Sequence, residues 1–398
     1  VKSVTTKPVV TVGRFTSPDT MASQIKRGVV DFIGAARPSI ADPFLPKKIE
    51  EGRPEDIREC IGCNICYTGD GLGVPIRCTQ NPTMGEEWRR GWHPEFIAKK
   101  GSESSVLVVG AGPAGLEATR ALGQRGYRVT LAEATRELGG RVTRESRLPG
   151  LTEWQRVRDY RLQQIDVMPN VEVFRESELN VDEVLAVEAD HIVFATGAAW
   201  RADGFGRSHL HPLTALSPGA RILTPDDIMA GHLPDGPTVI FDDDSFYMGG
   251  VIAEQVRRAN VPVSVVTPEN VVSAWCEYTS EQYQVQKHLL ELGIEIKTAH
   301  SLLAYDGREV TISCIHTGGQ QSIKADALIM VTARHPRDEL YQDLNRRLES
   351  GVQTPFRSVR RIGDCEAPAI IAAAVHSGHR YARELDTESD PDVPLRLE

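Results

Sequence analysis

Four cysteines stand close together, as Cys60-Ile-Gly-Cys63-Asn-Ile-Cys66, then eleven residues, then Cys78. Three thiolates spaced by two residues can wrap one corner of a cubane, and a fourth from a following loop closes it. Such clusters want soft, deprotonated sulfurs, and a glycine in the spacer lets backbone N–H groups approach. Structural zinc and a chance grouping are the alternatives, but zinc sites more often show two separated cysteine pairs. A [4Fe–4S] centre on Cys60, Cys63, Cys66 and Cys78 is therefore expected. Cys276, Cys314 and Cys365 are scattered, and seven cysteines are too few for a disulfide scaffold in a chain of 398 residues.

A second constellation reads Gly110-Ala-Gly112-Pro-Ala114-Gly115, directly after an apolar strand and opening a helix. The glycines permit a tight turn and let a pyrophosphate approach the helix N-terminus, where the helix dipole favours an anion. Glu133 lies 18 residues beyond Gly115, at the end of the next strand, where it can bond the ribose hydroxyls of ADP, FAD or NAD. An acid there disfavours a phosphorylated ribose. Ala195-Thr-Gly197 and Gly363-Asp364 each end a strand as well, and with Ala114 and Arg141 complete the expected nucleotide site.

A third set lies at the chain start. Gly13-Arg14 and Ala36-Arg37-Pro38 follow consecutive short strands. In a β/α barrel the loops after the seventh and eighth strands form the usual phosphate site. Gly13, Arg14, Ala36 and Arg37 are thus candidates to hold an FMN phosphate, through backbone N–H groups and a bidentate arginine. The plainer alternative is a pair of solvated surface arginines.

One turn signals an absence. The strand Thr238–Phe241 runs into Asp242-Asp243-Asp244-Ser-Phe246-Tyr247, with no glycine between Gly236 and Gly249. Three carboxylates where a pyrophosphate would sit repel it, so a nicotinamide dinucleotide is not expected here. Phe246 or Tyr247, rimmed by Asp242–Asp244, is expected to help dock an electron acceptor. The alternative is that both aromatics pack on the following helix and the aspartates cap it. The eleven histidines show no metal spacing, and His376 and His379 read as structural or solvated.

These groups need elements to hold them. Val9–Val12 and Val29–Gly34 read as strands, joined by a helix with Ser17 as N-cap and Pro18 at its first position. That spacing makes a parallel crossover, too small to bury both faces by itself. Residues 59–100 read as loop-rich chain that needs a staple. Strands follow at Ser105–Val109, Arg128–Ala132 and His191–Ala195, and the second βαβ spans Thr238–Val266. Further strands are Ile294–Ala299, Glu309–Ile315, Ala327–Thr332 and Ser358–Gly363. An Ala-rich helix, Pro368–Leu385, comes last.

Composition sets the outer bounds. Hydrophobic residues make up 40% and charged residues 25%, which excludes wholesale disorder. The net charge is −10, with no basic block, so no nucleic-acid partner is expected. The longest apolar runs are far short of a membrane span, and Val1 to Arg14 lacks the apolar core of a secretory signal. The expectation is a soluble, cytoplasmic protein without a membrane partner. The chain opens mid-pattern and without Met, and a missing first part is expected.

Together these residues resemble the trimethylamine, dimethylamine and histamine dehydrogenases. That family is related to old yellow enzyme and to the 2,4-dienoyl-CoA and enoate reductases. The likeness is carried by Ala35-Ala-Arg-Pro-Ser-Ile-Ala-Asp-Pro-Phe-Leu-Pro46, the cysteine run, and Arg89-Arg-Gly-Trp-His-Pro94. It implies an α/β architecture: the tail end of a (β/α)8 barrel over 1–58, a small [4Fe–4S] segment over 59–100, and two Rossmann-like domains of the flavin disulfide-reductase type. The first of these, for ADP or FAD, spans 101–223 and 346–398. The second spans 224–345 and lacks the glycine motif. The resemblance further implies FMN in the complete enzyme, a structural ADP with FAD as the alternative, and a homodimer. It implies oxidation of a small amine, with electrons leaving to an electron-transferring flavoprotein. The catalytic residues and the cysteine that tethers the flavin would lie in the absent barrel. The rivals are an NAD(P)H-dependent enoate-type reductase and a non-catalytic electron-transfer or nucleotide-binding module.

Overall fold

A computed structural model describes residues 1–352, 354–387 and 393. The chain divides into two compact units. One comprises Val1–Thr143, Glu153–Gly197 and Asp338–Glu398, the other Arg144–Thr152 and Ala198–Arg337.

The first unit opens with Val10–Val12 and Phe32–Gly34, paired in parallel. The helix Pro18–Lys26 joins them, so the expected crossover is present. Ser17 occupies the N-cap position in extended conformation, but its side chain makes no capping hydrogen bond. Ala36 and Arg37, expected in a loop, instead begin the short helix Ala36–Ala41.

The main sheet of this unit has five parallel strands. In spatial order they are Ser358–Arg361, His191–Phe194, Ser105–Val109, Arg128–Ala132 and Val171–Phe174. The order reverses at Ser105–Val109, and in such sheets ligands bind beyond the carboxyl ends at that point. All five residues of Ser105–Val109 are buried, as befits a strand covered on both faces. The helix Pro113–Arg125 follows it, and Ile371–Glu384 packs against that helix. A Cβ on Gly378 would come within 2.1 Å of the Ala114 carbonyl oxygen, so the two backbones are in contact there. Val106, Val108, Leu116, Leu122, Val129 and Leu131 form the centre of the core between them.

The second unit repeats the theme. Glu295–Lys297, Val263–Val266, Thr238–Asp242, Ala327–Val331 and Ile222–Leu223 make a five-stranded parallel sheet. The helix Tyr247–Arg258 follows the central strand. A three-stranded antiparallel sheet, His300–Tyr305, Glu309–Cys314 and Gln320–Lys324, is added, and Ala198–Trp200 pairs with Arg334–Pro336. Among the described residues, no helix is long and apolar enough to cross a membrane.

Candidate cofactor sites

The four clustered cysteines come together. Cys60, Cys63, Cys66 and Cys78 line one cavity with an empty volume of about 300 Å³, counting its mouth; Arg37, Ile40 and Thr79 complete the wall. A single tetrahedral zinc needs all its sulfurs about 2.3 Å from one point. Among the described residues, no three or more His, Cys, Asp or Glu side chains are arranged to hold a single metal ion. Four thiols spread round a cavity suit a larger inorganic core.

Local backbone explains the arrangement. Gly62 takes φ +73, and a Cβ there would lie 3.0 Å from Arg14 Nε. Asn64 is left-handed as well, with φ 53. These two turns fold the Cys60–Cys66 run back on itself. Backbone N–H groups then reach the sulfurs, from Ile65 to Cys63 and from Gln80 and Asn81 to Cys78. Cys63 Sγ also lies 3.2 Å from Thr79 Oγ1. Burial pushes the thiol of Cys63 up to about 12, and those of Cys66 and Cys78 to about 11. Without a metal these groups are protonated at neutral pH, so binding one releases protons.

Arg14 and Arg37 both face this loop. Arg14 Nη1 donates to the Cys60 carbonyl at 3.2 Å and lies 3.4 Å from Glu153 Oε2. Arg37 donates to Asn64 Oδ1 at 2.5 Å, and its guanidinium sits 6.0 Å from the centre of the Tyr67 ring. Gly13 packs on the ring of Phe15, 3.2 Å from a would-be Cβ. Ion pairs that the sequence did not signal tie residues 42–58 to this segment. Lys48 pairs with Asp42 at 2.7 Å, and Arg58 with Glu95 at 2.6 Å, while the Arg58 N–H donates to Asp42 Oδ2 at 2.9 Å. Both cations are almost wholly buried, and lysine and arginine are rarely so unless paired.

The glycine turn is built for close approach. A Cβ on Gly110 would meet the Ala195 carbonyl oxygen at 2.5 Å, and one on Gly115 would meet the Gly110 oxygen at 1.9 Å. Gly112 is the N-cap of the Pro113–Arg125 helix, and a Cβ on it would have no heavy atom within 4 Å. That space lies at the positive end of a helix, a natural seat for phosphate. Glu133 Oε2 accepts the Ala111 N–H at 2.8 Å, and Oε1 accepts the Thr135 N–H at 2.9 Å. The acid therefore braces the turn from the neighbouring strand. Gly197 takes φ +79 with open space beside it. Ala114 is buried against Gly363, and Arg141 lies 3.5 Å from Asp364 Oδ2.

The corresponding turn in the second unit differs from the expected exposed acidic rim. Asp242 and Asp243 are buried, at 0% and 3% exposure. Asp242 Oδ1 accepts the Ser245 N–H at 3.0 Å, and Asp243 accepts from the Ser208 N–H and hydroxyl. Burial, with Asp244 and Asp243 adding like charge, raises the Asp242 carboxyl to about 8. Phe246 stacks edge-on against Trp275 at 4.5 Å, and Tyr247 donates to Glu145 Oε2 at 3.0 Å. The aromatics and two of the acids are thus engaged within the unit. His376 and His379 are buried, not solvated, beside Glu86 and Glu117.

Comparison with known proteins matches two separate segments of the chain. Residues 1–56 match the NADH:flavin oxidoreductase / NADH oxidase family, and residues 104–213 the pyridine nucleotide-disulphide oxidoreductase family. The chain thus carries two segments similar to oxidoreductase families, and over nearly its whole length it is similar to dimethylamine and histamine dehydrogenases. It is 40% identical to dimethylamine dehydrogenase of Hyphomicrobium sp. (strain x), covering 98% of this chain and 56% of that one. The structure of histamine dehydrogenase from Rhizobium sp. 4-9 superposes with a TM-score of 0.95 at 53% identity, over 98% of this chain and 57% of that one. The 6-hydroxypseudooxynicotine amine oxidase of Pseudomonas geniculata N1 gives 0.93 at 47% identity, over 97% and 57%. The chain thus spans little more than half the length of these relatives.

Proposed function

We propose that this chain is the electron-transfer half of an amine dehydrogenase, and that Cys60, Cys63, Cys66 and Cys78 ligate a [4Fe–4S] centre. The observation that supports this most is the four thiols lining one cavity, with backbone N–H groups aimed at their sulfurs. When bound, such a centre supplies one-electron transfer between an FMN in the complete enzyme and an electron-transferring flavoprotein. The chain's own part is to hold the sulfurs, limit water at them and brace the loop through Arg14 and Arg37. The substrate is a small amine, taken in a barrel these residues only border. Gly13 and Ala36, with the two arginines, stand where that barrel's FMN phosphate is expected, and the complete enzyme is a homodimer in the cytoplasm.

In the same reading, ADP binds at Gly110, Gly112, Ala114 and Glu133, with Arg141, Gly197 and Asp364 around it. FAD at this turn is the alternative. The rival, a reductase driven by NAD(P)H, needs an open second turn. Asp242 fills it, since a Cβ on Gly249 would fall 2.3 Å from the Asp242 carboxyl.

Iron and sulfide analysis of anaerobically purified protein tests the centre, with about four of each expected per chain. Cys→Ser changes at 60, 63, 66 and 78 are each expected to bleach it, and those at 276, 314 and 365 to leave it. Stoichiometric zinc in place of iron would overturn the assignment. Acid extraction decides the nucleotide, released FAD without ADP refuting the preferred form.

A further inference from the structure

Cys78 is held from behind by a chain of buried groups. Its sulfur accepts the backbone N–H of Asn81. That N–H belongs to the same peptide unit as the Gln80 carbonyl. The carbonyl oxygen accepts from Arg161 Nη2 at 3.2 Å, and Arg161 Nη1 donates to the Gln80 side-chain oxygen at 3.0 Å. Gln80 Nε2 then donates to the Glu59 carbonyl at 3.1 Å, next to Cys60. A single guanidinium therefore steadies the chain on both sides of the cavity: the peptide after Cys78 and, through one amide, the residue before Cys60.

The charge behind this contact is unusual. Arg161 is 0% exposed, and Gln80 and Glu117 are each 1% exposed. Arg161 Nε lies 2.8 Å from Glu117 Oε2, and Arg120 Nη2 lies 2.6 Å from Glu117 Oε1. The third neighbour, His379, adds no charge. Burial pushes its imidazole down to about 4. Its Nδ1 donates to Glu117 Oε1 at 2.8 Å, and its Nε2 accepts from Arg383 at 2.9 Å. Two buried guanidinia thus share one carboxylate. Uncompensated buried charge is costly, and a cluster bearing four thiolates is anionic, so the two sites complement each other. Chains of hydrogen bonds polarise one another in a low-dielectric interior. Hydrogen bonds to the sulfurs and net charge are what set a cluster's reduction potential.

We propose that Arg161 is a positioning residue for the iron–sulfur centre: it polarises the Gln80–Asn81 peptide toward Cys78 and so raises the centre's reduction potential. The inference rests on the reading of Cys60, Cys63, Cys66 and Cys78 as cluster ligands. Adding an electron makes the centre more negative, and a donor backed by a buried cation stabilises that state.

The test is a redox titration of the chain after anaerobic loading with iron and sulfide, followed by the spin-resonance signal of the reduced cluster. Iron content is measured first. Arg161→Gln is expected to lower the reduced-to-oxidised ratio about tenfold at the wild-type midpoint, equivalent to about 59 mV for one electron. Arg161→Lys keeps the charge and is expected to recover more than half of that shift. Glu117→Gln removes the counter-charge and is expected to shift the potential the opposite way, a sign that lost packing would not give. Should Arg161→Gln fail to fold, the Lys and Glu117→Gln variants decide the matter. Unchanged potentials in the variants that fold and hold four irons overturn the inference. A wild-type chain that takes up no iron overturns the cysteine reading instead, and the first iron analysis separates the two failures.

Discussion

The two central strand–turn–helix junctions, Val109 to Pro113 and Phe241 to Tyr247, share a position in their sheets but not a use for acid. In the first, the carboxylate comes from the adjacent strand: Glu133 braces the turn through the Ala111 N–H and leaves the space at Gly112 open. In the second, Asp242 sits on the central strand itself and turns inward against Ser245 and Gly249. The contrast teaches that the same kind of junction can be left open or be occupied from within. A neutral, buried carboxyl fills the room a phosphate would need.

The strongest way to break this contrast is steric. Gly115→Val puts a side chain against backbone, the Gly110 oxygen 1.9 Å away. We expect destabilisation of about 4 kcal/mol or more and no retained nucleotide, read by thermal melting and extraction. Gly249→Ala meets a side chain instead, the Asp242 carboxyl at 2.3 Å. Its smaller loss is expected to be partly restored by adding Asp242→Ala, which removes the carboxyl but leaves its Cβ 2.8 Å away, whereas no side-chain change can rescue position 115.

pH separates the units next. Asp242 has its folded pKa raised from 3.8 to about 8. Its contribution is full below about pH 4 and is lost as pH rises to 8, on the order of 3 kcal/mol of it between pH 6 and 8. Hydrogen exchange of the second unit should accelerate between pH 6 and 8 beyond the intrinsic pH effect. Asp242→Asn should flatten that rise, and an unchanged slope would refute it. The first unit runs the other way. His379 is lowered from 6.5 to about 4, so its contribution is present above about pH 6.5 and lost as pH falls to 4. About 3 kcal/mol is expected there, and the depressed carboxyl of Glu117 acts in the same direction. In acid, the first unit should open before the second.

The smallest expected effect sharpens the comparison at the nucleotide itself. Glu133→Gln should weaken ADP binding about tenfold, roughly 1.4 kcal/mol, by calorimetry. Asp242→Asn should leave that affinity unchanged.

How much of this was legible in the sequence depended on whether a local pattern existed. The Gly110–Gly115 turn, its strand and its helix were readable because each glycine answers a short-range backbone constraint. The grouping of the four cysteines round one cavity was readable because they are almost contiguous in the chain. Lys48, Arg58, Arg161 and Glu117 were not, because an ion pair buried between distant segments leaves no periodicity and looks like ordinary surface charge. The edge strand Gln320–Lys324 was missed because four of its five residues are exposed and none of the usual apolar alternation survives. The burial of Asp242 and Asp243 was not legible, since neutralising a carboxyl by burial depends on neighbours far away in sequence. Residues 388–392 and 394–398, at the end of the segment expected to close the nucleotide domain, lie outside the described residues.

The backbone contact between Gly378 and Ala114 bears on how the protein is made. The first unit is assembled from three stretches of chain, and its last strand and helix, Ser358–Arg361 and Ile371–Glu384, come after all of 198–337. On the ribosome, where domains tend to fold in order of emergence, the inserted unit can finish first. The earlier half must meanwhile wait with the apolar face of Pro113–Arg125 uncovered. The glycine at 378 then works as a latch closed late in synthesis, and a larger residue there would expose the waiting half to chaperones and proteases before any cofactor arrives.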